Sequence, residues 1–249
     1  MLRLASSAFK RSGRSQQLIG HSKRNLQGLV VGVPKETLPG EERVAMTPSL
    51  VTKLKKQGAS INIEKGAGLG SGFTDAQYAT AGAELVDKAG AYKSEVVCKV
   101  RPPTLEEAAM VEDRNIMSII QPRINTELMD QLCKQKATVF SMDSLLRTLS
   151  RGQSYDVLSS QANIAGYRAI IEAGHHMQRP FAGQMTAAGK IAPAKVLVVG
   201  AGVAGLAAMQ LAKKSGAMVF GFDVRSAAKE QVEACGAKFL EVAFEEDGS

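Results

Sequence analysis

"KVLVVGAGVAGLAAMQLAKKSGAMVFGFDVR", residues 195–225, reads as strand, turn, helix and second strand. Lys195-Val196-Leu197-Val198-Val199 is a short β-branched run bounded by turn residues, the pattern of a strand buried on both faces. Gly200-Ala201-Gly202-Val203-Ala204-Gly205 then gives G-x-G-x-x-G, Leu206 to Lys214 continues in helix formers, and the apolar run Ala217 to Phe222 ends at Asp223. Each glycine has its own physical role. Gly200 permits the tight turn, Gly202 lets the backbone approach a pyrophosphate, and Gly205 lets helix and strand pack closely. The pyrophosphate is expected on the unpaired N–H groups at the helix N-terminus, where the macrodipole favours negative charge. Asp223 closes the second strand at the distance expected for a ribose acceptor. Its charge favours NAD over NADP, an inference that neighbouring Arg225 blunts. Glycines also mark ordinary strand-to-helix turns; the agreement of strand, helix, second strand and terminal acid is what favours a dinucleotide.

Composition bounds the remaining classes. A chain of 249 residues with 45% hydrophobic and 22% charged residues has material for one large or two modest cores. No run approaches the length of a membrane span. Cys98, Cys133 and Cys235 lie far apart without a CxxC, and read as reduced core thiols with no metal site. The net charge of +7 suggests nucleic acid, but its location argues against such a partner. Residues 1–28 hold Arg3, Lys10, Arg11, Arg14, Lys23 and Arg24 and no acid; setting these six of the 31 basic residues aside leaves 25 against 24 acidic ones. Rich in Arg and Ser, able to start as an amphipathic helix, and free of acids, residues 1–28 have the properties of a mitochondrial transit peptide. A basic arm of no fixed structure is the plainer alternative.

From Leu29 onward strands and helices alternate. Expected strands are Leu29–Val33, Ser60–Glu64, Val96–Val100, Ile116–Ile120 and Thr138–Phe140, with helices over Pro48–Gln57, Leu105–Val111 and Thr126–Gln135. A long helical segment from Tyr155 to Met177 precedes the glycine motif. This predicts an α/β fold of two Rossmann-like units with parallel sheets: an N-terminal domain over 29–160 and a dinucleotide-binding domain over 161–249. The second has only three candidate strands, Val196–Val199, Met218–Phe222 and Lys238–Val242, and is expected to be incomplete at its C-terminus. "GAGLGSGF" (66–73) reads as a loop, since no long helix opens behind it. His175 and His176 point about 100° apart on a helix and read as surface or interdomain residues.

Two segments, "VGVPKETLPGEERVAMTPSLVTKLKKQG" (31–58) and "VVGAGVAGLAAMQLAKKSGAMVFGFDVR" (198–225), resemble the paired motifs of alanine dehydrogenases and of the NAD-binding subunit of proton-translocating transhydrogenases. Alanine dehydrogenases carry a catalytic His in a Tyr-Leu-His-like stretch and a Lys in a Lys-Val-Lys-Glu-Pro-like stretch. Here those places read Ile119-Ile120-Gln121-Pro122 and Lys99-Val100-Arg101-Pro102-Pro103, so no titratable group stands in for the His. "RGQSYDVLSSQANIAGYRA" (151–169) instead resembles the transhydrogenase loop that faces the nicotinamide.

The transhydrogenase resemblance implies no catalytic side chain, because hydride passes from NADH to NADP held on a partner domain. It implies contacts from Gln153, Asp156 and Ser159, with Ser154 and Tyr155 in the same stretch, to the nicotinamide and its ribose. It assigns Gly200, Gly202, Val203 and Gly205 to the pyrophosphate, and Asp223, Val224 and Arg225 to the adenosine end. "SYDV" before an apolar helix is also a reasonable N-cap sequence, the alternative reading of these residues. The family's loop Arg lies five residues before the Gln, whereas Arg147 lies six before Gln153; either Arg147 still reaches the amide, Arg151 substitutes, or the contact is lost. By the same resemblance NAD(H) is the cofactor, the partners are membrane and NADP-binding domains, and the parent enzyme is a homodimer; with residues 1–28 as a transit peptide, the location is the matrix face of the mitochondrial inner membrane. The sequence reads as a truncated form of such an enzyme, inactive alone. An alanine dehydrogenase-like enzyme and a non-catalytic NAD-binding relic are the alternatives.

Overall fold

A computed structural model describes residues 26–146 and 150–242. The chain divides into two compact units, one running to Phe140 and the other beginning at Ser141.

The first unit is built on strands β1 (Val30–Val33), β2 (Ser60–Glu64), β3 (Glu84–Val86), β4 (Val96–Cys98), β5 (Asn115–Ser118) and β6 (Thr138–Ser141). They form one sheet in the order β3-β2-β1-β4-β5-β6, and the pairs β1–β2, β2–β3, β1–β4 and β4–β5 are parallel. Such a sheet must be covered on both faces. The helices are α1 (Pro48–Lys55), α2 (Asp75–Thr80), α3 (Lys88–Tyr92), α4 (Leu105–Ala109) and α5 (Thr126–Lys134). Local chemistry sets where they begin. Pro48 opens α1, Asp87 caps α3, and capping boxes start α2 (Thr74 with Gln77) and α4 (Thr104 with Glu107). One core lies around Val33, Val51, Ile61, Ile63 and Tyr78, another around Tyr92, Val97, Ile116 and Leu132. The 66–73 loop makes only a 3-10 turn at Leu69–Ser71 before the short α2, and the Gly66 N–H donates to Asp75. It is a packed loop, as expected.

The second unit contains α6 (Val157–Met177), a hairpin of β7 (Gln184–Thr186) with β8 (Gly189–Ile191), β9 (Lys195–Val199), α7 (Val203–Lys214), β10 (Met218–Phe222), α8 (Lys229–Ala234) and β11 (Lys238–Phe239). The sheet β11-β10-β9 is parallel throughout, and β11 ends at Phe239, short of the expected Val242. The expected boundary at 160 falls inside α6, which packs on α7 through Gly166 and Ile170.

β9 corrects the expectation of burial on both faces. Val196 and Val198 pack against α7 and its core, but Leu197 is 56% and Val199 72% exposed. An apolar run reports what a strand can bury, and among the described residues only one face of this sheet is covered. The thiols need a similar correction: Cys98 is screened and pushed up to about 11 by burial, whereas Cys133 is exposed on α5 and belongs to no core. Among the described residues no helix is long and apolar enough to cross a membrane.

Candidate functional site

The glycine turn joins β9 to α7. Gly200 sits at φ +101°, a conformation that side chains rarely adopt, so the chain can reverse at once after Val199. Gly205 is required by contact: a Cβ there would lie 1.8 Å from the Gly200 carbonyl oxygen. Gly202 differs from both. Its backbone is ordinary extended chain (φ −79°, ψ −174°), yet a Cβ added to it meets nothing within 4 Å. The fold leaves open space over Gly202. Behind that space begins α7, capped by no side chain, with its first intrahelical donation from Leu206 N–H to Gly202. The N–H groups of the turn before it have no partner within the helix. Open space, a bare helix N-terminus and twelve aligned peptide dipoles suit a doubly charged phosphate group. The residues fit the dinucleotide that the sequence implies.

Asp223 ends β10 beside this turn. Oδ2 accepts from Ala201 N–H at 2.7 Å and from an Arg225 terminal nitrogen at 3.1 Å, while Oδ1 accepts from Arg225 N–H at 2.9 Å and Nε at 3.0 Å. The Arg225 guanidinium, followed by the Arg225 and Ala201 N–H groups, holds the carboxyl far below the usual carboxylate range. Four donors fill the four acceptor positions of a carboxylate. A ribose hydroxyl must therefore take over positions now held by Arg225, whose side chain is 65% exposed and can swing away. The sequence signalled the acid but not that its neighbour occupies it. Val224 lies alongside, 79% exposed.

α6 carries the other expected contacts at its N-terminus. A 3-10 turn spans Gln153–Tyr155, Asp156 is the N-cap, and its carboxylate accepts from Ser159 N–H at 3.0 Å and Ser159 Oγ at 2.6 Å. The capping alternative describes these contacts. Gln153, Ser154 and Tyr155 are exposed, with Ser154 Oγ donating to the Arg151 carbonyl. Arg151 is exposed too, and Arg147 lies outside the described residues. At the far end of α6, His175 and His176 are exposed with ring centroids 5.3 Å apart. Among the described residues no group of three or more side chains could hold a metal.

A second cluster of charge lies in the first unit and was missed from sequence. In a sheet of this strand order the switch point falls between β1 and β4, where α/β proteins commonly bind ligands. Here the chain fills that place with its own ion pairs. Buried Lys99, just past β4, reaches Glu36 at 3.4 Å and Glu107 at 3.2 Å. Glu36 also accepts from Val100 N–H, and Glu107 also pairs with Lys88 at 3.0 Å. Beside them, Arg43 and Arg101 both donate to Glu41, whose carboxyl Arg43 holds down at about 2. Lys99 is thus held between two carboxylates. A separate open groove of ≈ 580 Å³ between α1 and α2, lined by Pro48, Thr52, Phe73 and Gln77 among others, bears no ionisable side chain.

Residues 32–165 match the family described as "Alanine dehydrogenase/PNT, N-terminal domain" and residues 169–248 its C-terminal domain. The chain belongs to the alanine dehydrogenase/PNT family. Within that family it is 50% identical over 220 residues to NAD(P) transhydrogenase subunit alpha of Cereibacter sphaeroides, an alignment covering 87% of this chain and 42% of that one. Its fold matches the crystal structure of transhydrogenase from Sinorhizobium meliloti with TM-score 0.81 at 43% identity, over 85% of this chain and 64% of that one. An L-alanine dehydrogenase structure matches less closely, with TM-score 0.75 at 28% identity over 85% of this chain and 60% of that one. The chain spans about half the length of the curated relatives it matches. The expected α/β class with parallel sheets is that of the alanine dehydrogenase/PNT family.

Proposed function

We propose that this chain contributes the NAD(H)-binding part of a proton-translocating NAD(P) transhydrogenase, in which hydride passes directly from NADH to NADP held on another domain. The observation that carries the reading is the open cradle over Gly202, at a bare α7 N-terminus beside Asp223. The higher identity to a transhydrogenase subunit than to an alanine dehydrogenase supports the branch. So does the chemistry: oxidising an amine needs a general acid or base. The stretch Ile119-Ile120-Gln121-Pro122 offers no such group, and Lys99 is held in ion pairs.

When bound, the nicotinamide ring supplies or accepts the hydride. Everything asked of the protein is placement. The N–H groups after Gly202 take the pyrophosphate, with Val203 opening the helix behind it. Asp223, Val224 and Arg225 take the adenosine end, Arg225 leaving the carboxylate as a ribose arrives. Gln153, Asp156 and Ser159, with Ser154 and Tyr155, face the nicotinamide end, and either Arg147 or Arg151 supplies the loop cation. The parent assembly includes membrane and NADP-binding domains and a second copy of this part.

NADH titration of the full chain, followed by fluorescence, tests the site. Asp223→Asn is expected to weaken binding on the order of 10- to 100-fold, since a ribose loses a charged acceptor. An unchanged dissociation constant removes Asp223 from the site. The location we propose, the matrix face of the mitochondrial inner membrane, rests on the six basic residues and absent acids of residues 1–28, of which 1–25 lie outside the described structure. The relatives named above are bacterial, which weighs against it. Residues 1–28 fused to a fluorescent reporter are expected to carry it into mitochondria, and a cytosolic signal overturns that address.

A further inference from the structure

Gly166 stands in the middle of the 21-residue α6, where propensity alone would prefer alanine. It is buried, and a Cβ built on it would lie 1.9 Å from the carbonyl oxygen of Ala204, 2.7 Å from its carbonyl carbon and 2.9 Å from its Cα. All three are backbone atoms, so no side-chain rotation can relieve the overlap. Ala204 belongs to the first turn of α7, the turn that opens on the cradle over Gly202. The next residue, Gly205, is held from the sheet side by the Gly200 carbonyl, 1.8 Å from where its own Cβ would stand. The first turn of α7 is thus gripped between two glycine contacts, one to the β9 turn and one to α6.

We infer that Gly166 is a positioning residue for the dinucleotide site, setting the distance between the α6 N-terminal loop and the phosphate-binding turn. The inference rests on the NAD(H) reading above. α6 begins after its Asp156 cap, ten residues and about 15 Å along the helix from Gly166. Ile170, one helical turn further on and the other buried residue of α6, anchors the helix to the core around Ala208, Met209 and Ala212. A methyl group at 166 cannot push α7 away, because Gly205 already abuts the Gly200 carbonyl. α6 must give way instead, by about 1.5 Å to restore ordinary contact, and it carries Asp156, Ser159 and the Gln153 turn with it. A misplacement of about 1 Å at a reacting centre is enough to cost on the order of 100-fold. The adenosine end, built on β10 and the β9 turn, has no part in this contact.

The experiment compares dissociation constants for NADH and for ADP, which lacks both the nicotinamide and its ribose, in the full chain, with thermal melting alongside. Gly166→Ala is expected to leave ADP binding within about twofold and to raise the NADH constant roughly tenfold or more, towards that of ADP. Ile170→Ala, which loosens the same helix without adding bulk, should lower the melting temperature and keep the parent's preference for NADH. A Gly166→Ala chain that retains that preference, loses both ligands equally, or fails to fold overturns the inference, as does a parent that binds ADP as tightly as NADH. A parent that binds neither ligand overturns the dinucleotide reading itself, a result distinct from all of these.

Discussion

Replacing Gly202 with valine is expected to abolish NADH binding while leaving the fold intact. Both halves follow from the same geometry. Gly202 lies at φ −79° and ψ −174°, where valine is at ease, and its Cβ position is open. The helix loses only the modest advantage of glycine over a branched residue at an N-cap, about 1 kcal/mol. The open space is also the approach of the pyrophosphate to the α7 N-terminus, and two methyl groups there keep the phosphates from the N–H groups. Hydrogen bonds to a charged group contribute about 1.5–3 kcal/mol each, so losing two weakens binding by roughly 100- to 10,000-fold. Fluorescence titration with NADH and a melting curve on the same sample decide between the outcomes. Unchanged affinity means the nucleotide does not lie over this turn. A collapsed melting temperature means that Gly202 serves the fold instead. Gly205→Val is the contrasting substitution: with 1.8 Å between its Cβ position and the Gly200 carbonyl, it should unfold the turn.

Why the turn was legible in sequence and much else was not has a physical basis. Residues 195–223 combine long apolar runs, helix formers and punctuating glycines within one local stretch, so pattern and structure coincide there. β3, α2 and α3 are three to six residues long, too short for a period of 2 or 3.6 to register. The β7–β8 hairpin buries nothing and so carries no alternation to read. For the site, the motif located Gly202 and Asp223, but the filling of Asp223 by Arg225 is a matter of rotamers. Gly166 reads as an ordinary helix residue because its reason lies on another helix. The pairing of Glu36, Lys99 and Glu107 joins residues far apart in sequence. Its one local signal was Thr104-Leu105-Glu106-Glu107, a capping box whose acid proves to serve two purposes.

That double service makes Glu107 costly to remove. One oxygen accepts from Thr37 Oγ1 and pairs with Lys88; the other accepts from the Thr104 N–H and meets Lys99 at 3.2 Å. Burial raises its proton affinity, but Lys99, Lys88 and the Thr104 N–H outweigh burial, and the carboxyl stays below its ordinary 4.5. Glu107→Ala leaves the Lys99 ammonium, 1% exposed, with only Glu36 at 3.4 Å. Breaking a buried pair on one side costs about 3–5 kcal/mol, and the urea midpoint of the N-terminal unit should fall accordingly. Neutralising the whole cluster, in Lys99→Met with Glu36→Gln and Glu107→Gln, should recover most of the loss, because the cost lies in buried charge left unbalanced rather than in the missing pair. The pH dependence has a definite sign. A carboxyl whose folded value is depressed contributes stability above its unfolded value and loses it as pH falls through the folded one. The parent should therefore weaken progressively below about pH 4.5, and Glu107→Ala should show less of that slope. A Glu107→Ala chain within about 1 kcal/mol of the parent at neutral pH would show that Glu36 and neighbouring water suffice for Lys99, and that the charge at the switch point is looser than its distances indicate.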